Sequence, residues 1–241
     1  MVNRKNVFEK EIETIKDKNL RKFAKALVEN ADDYFFEIPA SSTGKHHPEY
    51  TNIVGGLLLH TKAVLAIVNE ILQTKLFLVN DREEDLLRIA ALAHDIKKNG
   101  DGKTRYTVKN HPYLATLFIT DVYKKHKKLL SDDDVKYIND AVEKHMGKWG
   151  DKMPSNDGEK ILHVADVLAS RKNIEVVFDT EDVNKTVPSL SEYVIDFGMH
   201  SGKHLNEIPR DYLEWGIKNV KKSTFVSMAK RYLKEQEKKP K

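Results

Sequence analysis

Four residues in three places constrain this chain most: His60, the adjacent pair His94-Asp95, and Asp166. Each lies in or beside an apolar run. His60 closes GGLLLHT, His94-Asp95 follows LLRIAALA, and Asp166 sits within ILHVADVLAS. A carboxylate in an apolar helix must be paired or bound to a cation, because desolvating it alone carries a large penalty. Three such intrusions, each offering a metal-ligand side chain, read most simply as one buried metal site. Neighbouring helical residues point in different directions. His94 and Asp95 must therefore stand where a helix ends or where other helices converge on them.

The surrounding pattern is helical. Phe8, Ile12 and Ile15, then Phe23, Leu27 and Val28, form apolar stripes at helical spacing, with a break near Asn19. The stretch PASSTGKHHPEYTN, residues 39–52, is polar, turn-rich and long enough for a binding loop. The spacing predicts helices over 56–72 and 83–93, with Gly100 and Gly102 breaking the chain after them. A third should run from His111-Pro112, a cap followed by proline at the first helical position, to about 125. Ser131 and three aspartates open another at its positive end, with His145 at its close, and a last spans about 159–172. With no strand-like alternation, residues 1–175 are expected to form an all-α helical domain. A linker is expected over 176–189, and a small α+β module over 190–241. That module would hold a short strand at 193–197, a tight turn at GMHSG, a helix starting at Pro209 and another near Ser223.

Composition narrows the chemistry. The chain has no cysteine, so disulfides and thiolate metal sites are excluded, and any metal must use imidazole and carboxylate. Such donors suit Mn, Fe, Ni, Co or Zn. No apolar run approaches the roughly 20 residues that cross a bilayer, so no membrane contact is expected. The opening MVNRKNVFEKEIETI lacks the apolar core of a secretory signal, and a cytoplasmic location is the expectation. The net charge of +4 is carried by Val187–Lys241, with eleven Lys and Arg against seven Asp and Glu. Such a segment either favours a polyanion or is a solvated lysine-rich face.

The order H…HD…D resembles the HD superfamily of metal-dependent phosphohydrolases over roughly residues 20–173. Lys98 extends the dipeptide to HDxxK, and His111 and His145 fall between the pair and Asp166. The glycine usual in HDIGK is Lys97 here. The resemblance implies that His60, His94, Asp95 and Asp166 hold one ion. In some relatives Asp95's counterpart bridges to a second ion completed by two more histidines, a slot that His111 and His145 occupy. Two such ions would sit about 3.5–4 Å apart, suited to activating water and steadying phosphoryl oxygens. Taken singly, His111 and His145 read as helix caps or packed core histidines, His163, one turn before Asp166, as a support to the metal ligands or as packing, and Lys98 as a surface lysine.

The segment PASSTGKHHPEYTNIVGGLLLHT is similar to the HD half of bacterial 3′-to-5′ exoribonucleases, with Pro-Ala, a His-His pair and GGLLxHT in the same order. It would bring Ser41, Ser42, Thr43, Lys45 and His47 near the metal cleft; the alternative is a structural turn. Those exoribonucleases carry an OB-fold before the HD half, for which this chain is expected to have no room. HMGKWGDKMP and ADVLASRKN look like small HD proteins of bacteria and phages. Trp149 would stack on a base or cover the core, and Arg171 would grip a phosphate or stand on the surface. Finally, DFGMHSGKHLNEIPRDYLEWGIKN resembles a small module of pattern FGKxKGKxLxEIPxxYLxW, with Met199 and His200 departing from it. Phe197, Leu205, Ile208, Tyr212, Leu213 and Trp215 should make its miniature core. Nucleic-acid contact by this module is expected only by association.

Together these readings predict a phosphodiesterase with Asp95 and Lys98 as catalytic residues. Its substrate would be a nucleotide, a cyclic nucleotide or a nucleic-acid 3′ end. The alternatives are a (deoxy)nucleotidase and a non-catalytic nucleotide- or nucleic-acid-binding regulator.

Overall fold

The computed structural model describes residues 6–104, 106–177, 190, 193–220 and 222–237, and the regular elements among them are helices. Helix α1 (Glu9–Glu13) leads into α2 (Lys18–Glu29), and Asp17 between them accepts hydrogen bonds from the Asn19 and Leu20 amides. The main bundle follows as α3 (Gly56–Gln73), α4 (Asp81–Ala93), α5 (His111–Lys125), α6 (Asp132–Lys144) and α7 (Asp157–Ala169). Helices α8 (Arg210–Asn219) and α9 (Ser223–Glu237) complete the described chain.

Capping chemistry sets the helix starts. Asn80 with Glu83, Ser131 with Asp134, and Asn156 with Glu159 form reciprocal capping boxes at α4, α6 and α7. Helices α4 and α7 therefore begin two residues before the predicted 83 and 159. Their first turns are acidic, as the helix dipole favours, so apolar periodicity starts late. Helix α7 also stops at Ala169, short of the predicted 172. Helix α5 has Asn110 as its N-cap, so His111 is its first helical residue and not the cap. The chain break near Asn19 falls instead before α2, where Asp17 caps the helix.

Helix α3 lies at the centre, packed against α4 and α7, while α4 and α5 both pack on α6. Its residues 56–65 are buried on every side. A helix buried all round has no solvent face on which to put polar groups. Even Lys62 is enclosed, with its ammonium 2.7 Å from Glu11 Oε1 of α1. The core around it runs from Val7 to Ala169 and includes Phe8, Phe23, Phe35 and Leu87.

A second apolar cluster gathers Ile195, Leu205, Ile208, Leu213, Phe225, Met228 and Ala229. Val54, from the loop before α3, is buried within it. Of the expected miniature core, Leu205, Ile208 and Leu213 are buried, Phe197 and Tyr212 pack partly, and Trp215 is exposed. The strand expected at 193–197 reduces to one antiparallel bridge between Val194 and His204, so the described part of this module is helical rather than α+β. Short 3-10 turns at Gly198–His200 and Leu205–Glu207 take the backbone out of extended conformation before a ladder can grow. The expected linker lies, from residue 178 to 189, outside the described residues. Among the described residues no helix is long and apolar enough to cross a membrane.

Candidate metal centre

Five helices each deliver one part of a single cluster. His60 sits on α3, His94 is the C-cap residue of α4 with Asp95 directly after it, His111 opens α5, His145 closes α6, and Asp166 lies on α7. The start of α3 is held by the 37–55 segment, which folds back on it. Gly55 N–H donates to the Glu37 carbonyl, Leu57 N–H to Ile38 and Ala40 N–H to Thr51. Gly56 is required there, since a Cβ would lie 1.9 Å from the Thr51 carbonyl oxygen. This fold-back sets the His47 ring edge-on to His60, with centroids 4.9 Å apart.

The side chains converge on Asp95. His60 Nε2 is 3.0 Å from Asp166 Oδ1, 3.4 Å from His94 Nε2 and 3.8 Å from Asp95 Oδ2. His94 Nε2 is 3.5 Å from the same Asp95 oxygen and 3.8 Å from Asp166 Oδ1. The other oxygen, Asp95 Oδ1, is 3.0 Å from His111 Nε2 and 3.7 Å from His145 Nε2. Two donor groups thus share one carboxylate, Oδ2 facing His60 and His94 while Oδ1 faces His111 and His145.

Proton positions follow from the backbone. Nδ1 of His94, His111 and His145 lies 2.7, 2.8 and 2.7 Å from the carbonyls of Ala91, Val108 and Val142. A carbonyl only accepts, so each Nδ1 carries the proton and each Nε2 aims a lone pair inward. Asp95 Oδ1, His111 Nε2 and His145 Nε2 are buried without a hydrogen-bond partner. Buried acceptors left in this state are what a cation would satisfy. Burial pushes His145 down to about 3 and His47 down to about 2, with neighbouring imidazoles adding to the effect. Burial likewise lowers His60. Burial opposes charge on His94 too, but Asp95 and Asp166 outweigh it and hold its pKa up. Both carboxylates are raised by burial, yet fall well below the ordinary range. The Lys98 ammonium, with His94 adding to it, lowers Asp95, while a hydrogen bond from His60 lowers Asp166.

Residues 57–171 match the HD domain family. This stretch of the chain is an HD domain. Over 169 residues the chain is 27% identical to the 3′-5′ exoribonuclease YhaM of Listeria welshimeri, and to the proteins of that name from Listeria innocua and Listeria monocytogenes. Each alignment covers 66% of this chain and 51% of the relative, so the chain spans about half the length of the curated relatives it matches. No solved structure matches it significantly. HD domains bind divalent metals, and the imidazole and carboxylate donors gathered here fit that use.

Around the HD cluster the remaining candidates divide. The Lys98 ammonium is buried and hydrogen-bonded to Asp95 Oδ2, so it is not a surface lysine. Lys97 needs no left-handed backbone; its ammonium pairs with Asp32 Oδ2 at 2.6 Å over the Phe118 ring. Ser41 Oγ accepts from Gly44 N–H at 3.0 Å, and Ser41, Ser42, Thr43 and His47 line a groove beside the cluster. Lys45 is exposed on the same loop and does not line that groove. Trp149 is 51% exposed and leans on the His163 ring, so it does not cover the core. His163 acts through packing and a 2.6 Å contact from Nδ1 to the His145 carbonyl. Arg171 is exposed past α7, whereas its neighbour Lys172 lines the groove. Tyr106, Lys172, Lys230 and Lys234 are groove residues that sequence reasoning passed over. A lone tyrosine within the polar run KTRYTVKN was the available signal for one of them.

Proposed function

We propose that this HD domain is a metal-dependent phosphohydrolase, and specifically a phosphodiesterase for a nucleotide, a cyclic nucleotide or a nucleic-acid 3′ end. One observation carries the reading: the Asp95 carboxylate stands between two histidine pairs, one oxygen toward each. In this reading His60, His94, Asp95 and Asp166 hold one divalent ion, and Asp95, His111 and His145 a second. The candidates are Mn, Fe, Ni, Co and Zn. When bound, such ions supply Lewis-acid stabilisation of phosphoryl oxygens and a more acidic water.

The chain's own residues orient that chemistry. Carbonyl-anchored Nδ1 protons keep three imidazoles in the ligating tautomer. Lys98, fixed beside Asp95, supplies a positive charge for a non-bridging phosphate oxygen. Ser42 and Thr43 offer hydroxyls from the loop, and His47, kept neutral by burial, offers a hydrogen-bonding imidazole next to His60. The relatives named as exoribonucleases support a nucleic-acid or nucleotide substrate, and the cysteine-free composition accords with a cytoplasmic setting.

The test is turnover by the purified protein with Mn, Ni, Co, Fe, Zn or Mg. The substrates are bis-p-nitrophenyl phosphate, p-nitrophenyl phosphate and a panel of nucleotides. Metal-stimulated cleavage of the diester above the monoester is expected. Preferred monoester cleavage with one metal per chain would replace the proposal with a nucleotidase. Full metal loading without turnover on any substrate would leave a binding protein with a structural metal.

A further inference from the structure

A groove of about 950 Å³ runs between the loop at 41–53 and helix α9. Ser42, Thr43 and His47 line it on the loop side, and Lys230, Arg231 and Lys234 on the side of α9. Ile217, Val220 and Val226 give it apolar lining, and Lys172 adds a fourth cation from beyond α7. The groove reaches the metal centre through His47, whose ring stands 4.9 Å from that of His60. A second cavity of about 670 Å³ shares Ser42 and Tyr106 with it and takes Lys222 from the C-terminal segment. The C-terminal segment and the HD domain thus enclose this space together.

Its charge is unbalanced. Arg231 is paired with Glu235 at 3.2 Å, but among the described residues no carboxylate pairs with Lys172, Lys230 or Lys234. Among the described residues, Glu49 is the one carboxylate on the groove lining. Lys230 and Lys234 are four residues apart on one helix face, about 6 Å along the axis. That spacing suits successive charges of a polyanion, and a mononucleotide at the metal centre would leave them unused. Tyr106, 44% exposed where the two cavities meet, offers a face on which a base can stack.

We propose that α9 and the 41–53 loop clasp a single-stranded oligonucleotide. Its terminal phosphodiester reaches the metal centre, and its following phosphates lie along Lys172, Lys230 and Lys234. This rests on the phosphohydrolase reading and deepens it by naming an oligomeric substrate.

The experiment measures fluorescence anisotropy of a labelled hexanucleotide on the 241-residue chain as purified. Phosphorothioate linkages keep the charge and slow hydrolysis, so binding is read whether or not the protein is a phosphodiesterase. Lys230→Glu with Lys234→Glu is compared with a charge-matched control on α5, Lys124→Glu with Lys125→Glu. The groove variant should bind at least tenfold more weakly, and the control within twofold of wild type. Replacing the lysines by Gln should lower the slope of log affinity against log salt by about 0.7 for each lysine removed. Thermal melts confirm that the variants are folded. Unchanged affinity in the groove variant overturns the proposal, as does an equal loss in the control, which would mean non-specific charge attraction. Wild type that binds the hexanucleotide no better than AMP overturns it as well.

Discussion

Asp95 is the residue on which the centre turns, because both of its oxygens are committed, one to each histidine pair. Asp95→Ala should therefore strip metal from both groups. Hydrolysis should fall by more than the roughly 10–100-fold seen when outer-shell partners are lost. Elemental analysis with a diester assay checks both halves; a metal-loaded, active variant would remove Asp95 from the centre. His111→Ala and His145→Ala should each cost about one metal per chain while His60 and Asp166 keep the other. Active wild type holding a single metal would end the two-ion assignment. These ligand candidates were legible as polar residues in apolar runs, since desolvation makes such placements rare without a purpose. Arg171 against Lys172 was not legible. The two are adjacent cations after α7, and only the path of the chain beyond Ala169 decides which of them meets the groove.

His94 and His145 close α4 and α6, and Asp166 lies on α7; the starts of these three helices rest on capping boxes. Asp134 accepts from Ser131 N–H and takes a two-pronged contact from Arg82, Nε to Oδ1 at 2.7 Å and Nη2 to Oδ2 at 2.6 Å. The Arg82 hydrogen bonds, ahead of those from Ser131, hold the Asp134 carboxyl down to about 2, below the ordinary carboxylate range. A depressed carboxylate stabilises the fold above its unfolded pKa, and that contribution disappears as pH falls through the folded one. Between about pH 4 and pH 2 the wild type should lose about 2 kcal/mol from this group. Asp134→Asn should show a shallower acid limb in denaturant titrations across that window; identical limbs would contradict it. At α3, Gly56→Ala would drive a methyl into the Thr51 carbonyl, so the 37–55 loop and the helix start must separate. A cost above about 3 kcal/mol is expected, with diester turnover lost as His47 leaves His60. A melting temperature within a few degrees of wild type would refute that.

At the scale of the molecule, Val54 ties the C-terminal segment to the loop that opens α3. Val54→Asp would bury an unpaired carboxylate in the second core, at a cost of roughly 2–5 kcal/mol. It should lower the melting temperature and weaken oligonucleotide binding together, measured by calorimetry and anisotropy on one preparation. An unchanged melting temperature would mean that Val54 does not couple the two clusters. A chain cut near residue 179 would expose Val54 and remove one wall of the groove, so its small-diester turnover should persist only with reduced stability. The helices were readable in advance because apolar spacing, capping residues and proline at a helix start act over a few positions. The metal-ligand candidates were readable because a buried polar group needs a partner wherever it lies. What tertiary structure alone decided was which oxygen of Asp95 faces which histidines, that Lys98 turns inward, and that α9 lines a groove beside the centre. Each of these joins residues far apart in sequence, and no local preference of the backbone encodes such a meeting.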